Sequence, residues 1–488
     1  MNDNRISFVS SFETELRDWL SSHPDGHERG ALVLFRKINR EVVGLALSTR
    51  FVAVSYIQMA DDWVIESSPI HLRINLRLLP EVYFRCEQEG LELGFVHSHP
   101  SGALYFSGKD DVNEQNILRG YAGCNGPQVS LVAMVLCDDK WLGRVRTGTQ
   151  PEHTQSVRHV AVLGEGIALH LRDNGANDDD ASLEMLQRQE VAFGRPFNRK
   201  LSSLRAVVVG AGGTGSPTAT LLARSGVGEL VIIDGDNLEG SNLNRVRGYR
   251  HADIGKNKAV TLAGFIDSLG LPIKVASIPE FVDRSPVAVD AIASADIIFG
   301  CTDDVVGRDT LTQAMYYYCL VYIDMGLTGM IATDEAGLPY LRDHRGRVST
   351  MLPEFGACLR CQRVVTDEKI KYELAVRKNP ELAKLDPETL RREHYLTGGG
   401  ESAPGVGPFT SAVADNAVAS FMHLVRPYRR MSSDLRQDNI WQDFVHLGVY
   451  SNMPAIDENC FCCGQDGLLC APEGNYRLGT PSLGKLVL

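Results

Sequence analysis

The chain has 488 residues, a prior of roughly three domains at about 150 residues each, or two larger ones with insertions. Hydrophobic residues at 44% and charged residues at 23% exclude disorder or fibre as a description of the whole. Forty-nine Lys and Arg against 61 Asp and Glu leave a net charge of −12, which argues against a nucleic acid or an anionic membrane held by bulk charge. The amino-terminal segment carries Asp3, Glu13, Glu15 and Asp18 and no continuous apolar core, so it predicts no signal peptide and a cytoplasmic chain. The charge-free run 206–223 is rich in glycine and threonine and reads as strand, turn and helix rather than a membrane span.

Helical spacing of Phe12, Leu16, Trp19 and Leu20 predicts a helix over 12–22. Strand-like runs follow at 31–35, 42–47 and 51–57, then a helix over 110–118 and strands at 129–136 and 141–145, a mixed α+β half. The run DNGANDDD at 173–180 has no large apolar residue and predicts a solvated linker. Beyond it strands and helices alternate: 206–209, 217–224, 229–233, 256–269, 273–276, 297–299, 308–317 and 320–323. That alternation predicts a mostly parallel α/β sheet.

In GFVHSHPSGALYFSGKD, His97 and His99 are two apart, so on a strand both imidazoles point to one side. Asp110 follows, and Ser107 stands where it can cap the helix that carries the aspartate. Three N/O ligands leave a fourth tetrahedral position open, the arrangement of a catalytic zinc. On this string, residues 12–150 resemble the JAB/MPN-plus (JAMM) metalloproteases, which hydrolyse peptide or isopeptide bonds at the C-terminus of ubiquitin-like proteins. The resemblance implies that His97, His99 and Asp110 hold zinc, and that Ser107 stabilises the tetrahedral intermediate. It also implies a glutamate before the first strand, which takes a proton from the attacking water and delivers it to the leaving amine. Glu28 fits that position, and Glu41, which also precedes an apolar strand, is its rival.

In LRAVVVGAGGTG an apolar strand runs into Gly210, Gly212 and Gly215, a loop suited to phosphate. The next strand ends in Asp234 and Asp236, either of which suits a ribose hydroxyl, so ATP and NAD both satisfy these residues. Asn242 and Arg245 in SNLNR, Lys258 in GKNKAV and Asp303 in CTDD separate the two. Attack on an α-phosphate needs cations on the phosphoryl oxygens and a carboxylate for Mg²⁺, whereas hydride transfer needs neither. The set resembles the ThiF/MoeB family and the adenylation domain of ubiquitin-activating enzymes, from about residue 183 onward. That resemblance implies a Rossmann-like doubly wound fold and adenylation of the C-terminal glycine of a ubiquitin-fold protein. In it Gly210, Gly212, Gly215 and Asp234 or Asp236 hold the nucleotide, Asn242, Arg245 and Lys258 contact the triphosphate, and Asp303 holds Mg²⁺. It further implies a homodimer that lends an arginine across, with Arg188 as the candidate.

Eleven cysteines, an odd number and too few for a disulfide scaffold, point to thiols or metal ligands. Cys358 with Cys361 and Cys460 with Cys463 form two CxxC pairs that suit a structural Cys₄ zinc, with Cys462 a substitute for either late cysteine. Cys86, Cys124, Cys137 and Cys319 read as core thiols, and Cys301 as a buried strand end. Ubiquitin-activating enzymes carry a crossover cysteine for a thioester, and the charged stretch 367–395 with GGGESAPGVGPF has none. Either the acyl-adenylate passes directly to an external nucleophile, or Cys470 or Cys462 serves. Gly398, Gly399, Gly400 and Gly405 predict a mobile crossover loop.

Together these readings predict a protease domain over 1–158, a connecting segment over 159–182 and an adenylation domain over 183–488. The ligands implied are ATP, Mg²⁺ and two zinc ions, and the partners a ubiquitin-like or sulfur-carrier protein ending in glycine and a conjugating enzyme. Bacterial ubiquitin-like conjugation systems, some of them antiphage, combine such domains. Sulfur-carrier activation and release is the first alternative, and a non-catalytic scaffold for ubiquitin folds is the second.

Overall fold

The computed structural model describes residues 3–172, 184–394, 396–397, 405–430, 438–452, 454–464 and 478. The linker 173–180, Gly398 to Gly400 and Cys470 lie outside the described residues. Two compact units make up the chain, the first mainly from residues before 173 and the second mainly from residues after 183.

The first unit runs β1 Asp3–Val9, α1 Ser10–Ser21, β2 Gly30–Arg40, β3 Ser48–Gln58, β4 Val64–Ser68, β5 His71–Ile74, α2 Leu79–Glu89, β6 Glu92–Ser98, α3 Gly108–Asn125, β7 Ser130–Cys137, β8 Lys140–Thr147, β9 Gln150–Leu163 and β10 Ile167–Leu171. Its main sheet has the order β1-β3-β2-β6-β7-β8-β9-β10, and β1 also pairs with β9, so the sheet closes on itself in a barrel-like way. The run ALVLF in β2 is buried on both faces. Ala31, Val33 and Phe35 pack with Leu16 and Leu20 of α1, while Leu32 and Leu34 pack with residues of α2 and α3. Period-two alternation thus feeds two cores from one strand.

The strand expected at 42–47 is instead the turn between β2 and β3, closed by Leu45 N–H donating to the Val42 carbonyl at 3.0 Å. Gly44 sits there at φ +86°, a left-handed conformation that ends the extended run. Strands β1, β4, β5, β9 and β10 have no counterpart among the expectations: DNRISFV and QPEHTQSVRHVAVL mix charged with apolar residues, and β4, β5 and β10 are short. The strands continue to Leu171, beyond residue 158, where the sequence reading ends the domain.

The second unit runs α4 Gln187–Phe193, α5 Arg195–Ser202, β11 Arg205–Val209, α6 Gly215–Arg224, β12 Glu229–Ile233, α7 Lys258–Asp267, β13 Lys274–Ile278, α8 Pro286–Ala293, β14 Ile297–Gly300, α9 Val305–Tyr318, β15 Val321–Thr333, β16 Pro339–Met351, α10 Asp367–Lys378, α11 Pro387–His394, α12 Gly407–Val425, β17 Asn439–Asp443 and β18 Gly448–Ser451. The sheet order is β13-β12-β11-β14-β15-β16-β17-β18. The first five strands are parallel and the rest antiparallel, giving the expected Rossmann-like α/β fold an antiparallel extension. Helix α7 is shorter than the expected 256–269, because the Asn257 side chain caps it by accepting from Val260 N–H at 3.0 Å. A buried ion pair, Arg205 to Glu229 at 2.7 Å, joins the starts of β11 and β12. Strand order reverses at β11, so the loops after β11 and β14 diverge and open a crevice between them. Among the described residues, no helix is long and apolar enough to cross a membrane.

Candidate active sites

In the first unit, β6 ends at Ser98 and carries His97 into the interior. The His97 and His99 Nε2 atoms are 3.0 Å apart, and Asp110 oxygens lie 3.1 Å from His97 Nε2 and 3.7 Å from His99 Nε2. Two ligands about 2.0–2.1 Å from a tetrahedral ion are about 3.3 Å apart, so the three donor atoms fit one zinc. His99 Nδ1 donates to the Ala103 carbonyl at 2.7 Å, which leaves Nε2 unprotonated for a metal. Ser107 caps α3 as expected: its hydroxyl oxygen accepts from Asp110 N–H at 3.2 Å, and its own N–H donates to Asp110 Oδ2 at 2.6 Å. Burial opposes ionisation of Asp110, yet His97 and the Ser107 N–H hold its carboxyl well below the usual range.

Register places the two glutamates at opposite ends of β2. β2 runs antiparallel to β6 with Gly30 opposite His97, which brings Glu28 to 3.9 Å from His99 Nε2. Glu41 lies exposed past the far end of β2. Burial pushes the Glu28 carboxyl up to about 7, against the opposing pull of His97. A carboxyl so poised can take and return a proton near neutral pH.

In the second unit, a cleft of about 800 Å³ at the strand reversal is lined by Gly210, Gly212, Asp234, Asp236, Asn242, Arg245, Lys258 and Asp303, bringing nearly all the expected nucleotide residues together. The glycines have separate reasons. A Cβ on Gly215 would lie 1.8 Å from the Gly210 carbonyl oxygen, and one on Gly210 would lie 2.6 Å from the Cys301 carbonyl oxygen, whereas Gly212 has open space around it. Gly215→Ala is therefore expected to cost about 2–3 kcal/mol of stability. Gly212→Ala should melt as wild type and raise the KM for ATP; an unchanged KM would remove Gly212 from the phosphate path.

Asp234 spends both oxygens on backbone, accepting from Ala211 N–H at 2.6 Å and Asp236 N–H at 2.8 Å. Asp236 is more exposed and pairs with Lys258 Nζ at 3.0 Å. Arg245 donates to the Ser241 carbonyl at 2.8 Å and runs against Gly213 and Gly405, so Gly405 packs on the site. Asp303 is exposed, and its carboxylate makes no hydrogen bond or ion pair with a described residue, which suits a hydrated Mg²⁺.

Sequence reasoning missed Arg284 and Arg377, two further cations in this cleft. Arg377, on α10, joins Asp283, Glu373 and Asp304, and Glu373 accepts from the N–H groups of Val305 and Val306 at the start of α9. The crossover helix is thus docked on the strand end that carries Asp303. Its sequence, EKIKYELAVRK, carries no signal for this, because Glu373 and Arg377 read as an ordinary i,i+4 surface pair. Arg188, the dimer candidate, is exposed on α4.

The sulfurs of Cys358, Cys361, Cys460 and Cys463 all lie within 4.8 Å of one another. Cys358 to Cys460 is 3.6 Å and Cys361 to Cys463 is 3.5 Å. Those spacings are too long for a disulfide at about 2.05 Å and near the roughly 3.8 Å edge of a ZnS₄ tetrahedron. Cys462 lies outside the four-sulfur cluster and is fully buried, and burial pushes its thiol up, which does not suit a nucleophile. Cys124 is exposed rather than in the core, while Cys86, Cys137 and Cys319 are buried and Cys301 is half-buried. Cys358→Ser, or prolonged chelation, is expected to lower the Tm of the second unit by about 10 °C. Unchanged melting with no zinc in the purified chain would exclude a structural ion.

A cleft at the switch point of a parallel sheet, entered by a glycine loop, lies where open α/β sheets take their ligands. The chain belongs to the ThiF family, which it matches over residues 186–450. It is 33% identical over 162 residues to the SAMP-activating enzyme E1 of Haloferax volcanii, covering 33% of this chain and 54% of that one. It is 32% identical over 174 residues to the adenylyltransferase and sulfurtransferase MOCS3-1 of Zea mays, covering 35% of this chain and 36% of the relative. The chain thus spans about half or less of the length of these curated relatives. Among solved structures, that of E. coli MccB with ATP superimposes with a TM-score of 0.41 at 19% identity, covering 58% of this chain and 74% of that chain.

Proposed function

We propose that the second unit adenylates the C-terminal glycine of a ubiquitin-like or sulfur-carrier protein, and that the first is a zinc-dependent JAMM-type hydrolase that cleaves after that glycine. For the second unit, the observation that carries the reading is the convergence of Gly212, Asp236, Arg245, Lys258 and Asp303 on one cleft in a ThiF-family chain. Relatives named as a SAMP-activating enzyme and as adenylyltransferases support a small protein as the acyl donor. The partner's carboxylate oxygen attacks the α-phosphorus of ATP, and the bond to the β-phosphate breaks to release pyrophosphate. Arg245 and Lys258 take up phosphoryl charge, Asp236 holds the ribose, and Asn242 lends a side-chain amide. Asp303 would hold Mg²⁺, which neutralises charge on the phosphates.

For the first unit, the carrying observation is the His97, His99 and Asp110 triangle with Glu28 beside it. A zinc ion held there supplies Lewis acidity and a water acidified to about pKa 7. Glu28 removes a proton from the attacking water and returns it to the leaving amine. Ser107 Oγ already accepts from Asp110 N–H, so its hydroxyl proton remains to be donated to the developing oxyanion. Joining the two units is chemically coherent, because hydrolysis after glycine exposes the carboxylate that adenylation consumes.

Among the described residues, the crossover region 367–394 has no cysteine, and Cys462 is enclosed. Direct passage of the acyl-adenylate to an external nucleophile, on a conjugating enzyme or a persulfide donor, is therefore the favoured continuation. The relatives named as sulfurtransferases support sulfur transfer as the second reading. Incubating the chain with ATP, a persulfide donor, a thiol reductant to cleave the acyl disulfide first formed, and a Gly-ended partner distinguishes the two by mass spectrometry. A thiocarboxylate on the partner would replace conjugation as the outcome, and no partner-dependent pyrophosphate exchange at all would end both readings.

A further inference from the structure

The cysteine cluster is tied to the helix behind Asp303 by two side-chain struts, which its distance in sequence conceals. Arg360 lies between Cys358 and Cys361 and forks Asp309 of α9, with Nε to Oδ1 at 2.7 Å and Nη2 to Oδ2 at 2.9 Å. Such a two-point pairing fixes orientation as well as distance. Gln362, which directly follows Cys361, accepts from Arg347 Nη1 at 3.1 Å and from the Ser349 hydroxyl at 2.8 Å. Arg347 in turn meets the fully buried Asp324. The other Asp324 oxygen accepts from the Tyr322 hydroxyl at 2.9 Å and faces Arg308 Nε at 3.3 Å.

Both struts end on one structural element. Arg308 and Asp309 are neighbours in the second turn of α9, whose cap is Asp304 and whose preceding residue is Asp303. Arg308 Nη1 also approaches the Asp303 carbonyl at 3.5 Å, and Nη2 donates to the Met325 carbonyl at 3.0 Å. Gly300 completes the fit from the strand side, since a Cβ there would lie 2.6 Å from the Tyr322 hydroxyl and 3.0 Å from Asp324 Oδ1. Asp303 itself is exposed, so its position rests on the backbone that these contacts hold.

We propose that Arg360 and the Arg347–Asp324–Arg308 chain make the cysteine knuckle a positioning element for Asp303, so that the knuckle governs magnesium-dependent nucleotide binding as well as stability. The inference rests on the assignment of Asp303 to Mg²⁺. Groups that orient a metal ligand without touching the metal typically change its affinity about 10- to 100-fold. Arg360 is the member to test, because it is partly exposed and the buried Asp309 keeps a hydrogen bond from Gln313 Nε2 at 2.8 Å when the arginine is replaced.

The test measures binding of a fluorescent ATP analogue to the full chain with Mg²⁺ and with EDTA, alongside zinc content and Tm. Arg360→Gln is expected to keep its zinc, to change Tm little, and to weaken Mg²⁺-dependent binding about tenfold while leaving binding in EDTA unchanged. Asp309→Asn, which removes the charge and one of the two acceptor oxygens without touching the knuckle, should do the same, and the double variant should be no worse than either single one. Arg360→Lys, which restores the charge without the fork, should recover only part of the loss. Equal Mg²⁺ dependence in wild type and both single variants overturns the inference, as does an effect of Arg360→Gln that Asp309→Asn lacks. Should Arg360→Gln lose zinc or fold poorly, Asp309→Asn alone decides. Asp303→Asn is the control: if it leaves Mg²⁺ dependence intact, the assignment of Asp303 fails, a result separate from failure of the strut.

Discussion

Asp303→Ala is expected to abolish partner-dependent exchange of pyrophosphate into ATP, with a loss of about a hundredfold or more. The carboxylate stands exposed in the cleft with no described partner, so no structural bond is lost with it. Tm should stay within about a degree of wild type, since surface changes of this kind stay within about 0.5 kcal/mol. Lys258→Ala gives a useful contrast, because it also frees Asp236 from its 3.0 Å ion pair and so disturbs ribose and phosphate binding together. Exchange that persists in Asp303→Ala would remove the residue from the reaction. Exchange that needs no Gly-ended partner would change the substrate class.

Glu28→Gln is the second large effect. Cleavage of a ubiquitin-like fusion should fall about 10²- to 10⁴-fold, the range for loss of a general acid–base group. Glutamine keeps the shape of the side chain and cannot take the proton, so zinc content and folding should be preserved. Glu41→Gln should cleave as wild type, because Glu41 lies past the opposite end of β2. Chelation should stop cleavage and leave pyrophosphate exchange running at early times, before the cysteine knuckle gives up its ion. A Glu28→Gln chain with full cleavage would return the role to another residue, and one in which exchange fell equally would point to global damage.

Much of both sites was legible because each motif is local. His97, His99, Ser107 and Asp110 fall within one strand, one loop and one helix cap, and the capping geometry follows from residue spacing alone. The glycine loop likewise sits between an apolar strand and a helix with no long-range information needed. Of the strands that escaped reading, β1 and β9 pair with each other from far along the chain, whereas β10 is the short return arm of a hairpin with β9. Their polar residues are tolerated because pairing, not local propensity, decides a strand. The 42–47 segment erred the other way, where Gly44 turned an apolar run into a hairpin end.

The residue types and spacings were enough to locate a glycine loop between strand and helix, a His-x-His and aspartate cluster and two CxxC pairs, because short-range geometry follows from the backbone period. Choices between equivalent residues awaited the fold. Antiparallel register of β2 on β6 separates Glu28 from Glu41, backbone bonds tie Asp234 to its own loops while Asp236 faces Lys258, and burial sets Cys462 apart from its neighbours. The struts from Arg360 and Arg347 to α9 were beyond sequence reading altogether, since hydrogen bonds between residues tens of positions apart leave no periodic trace.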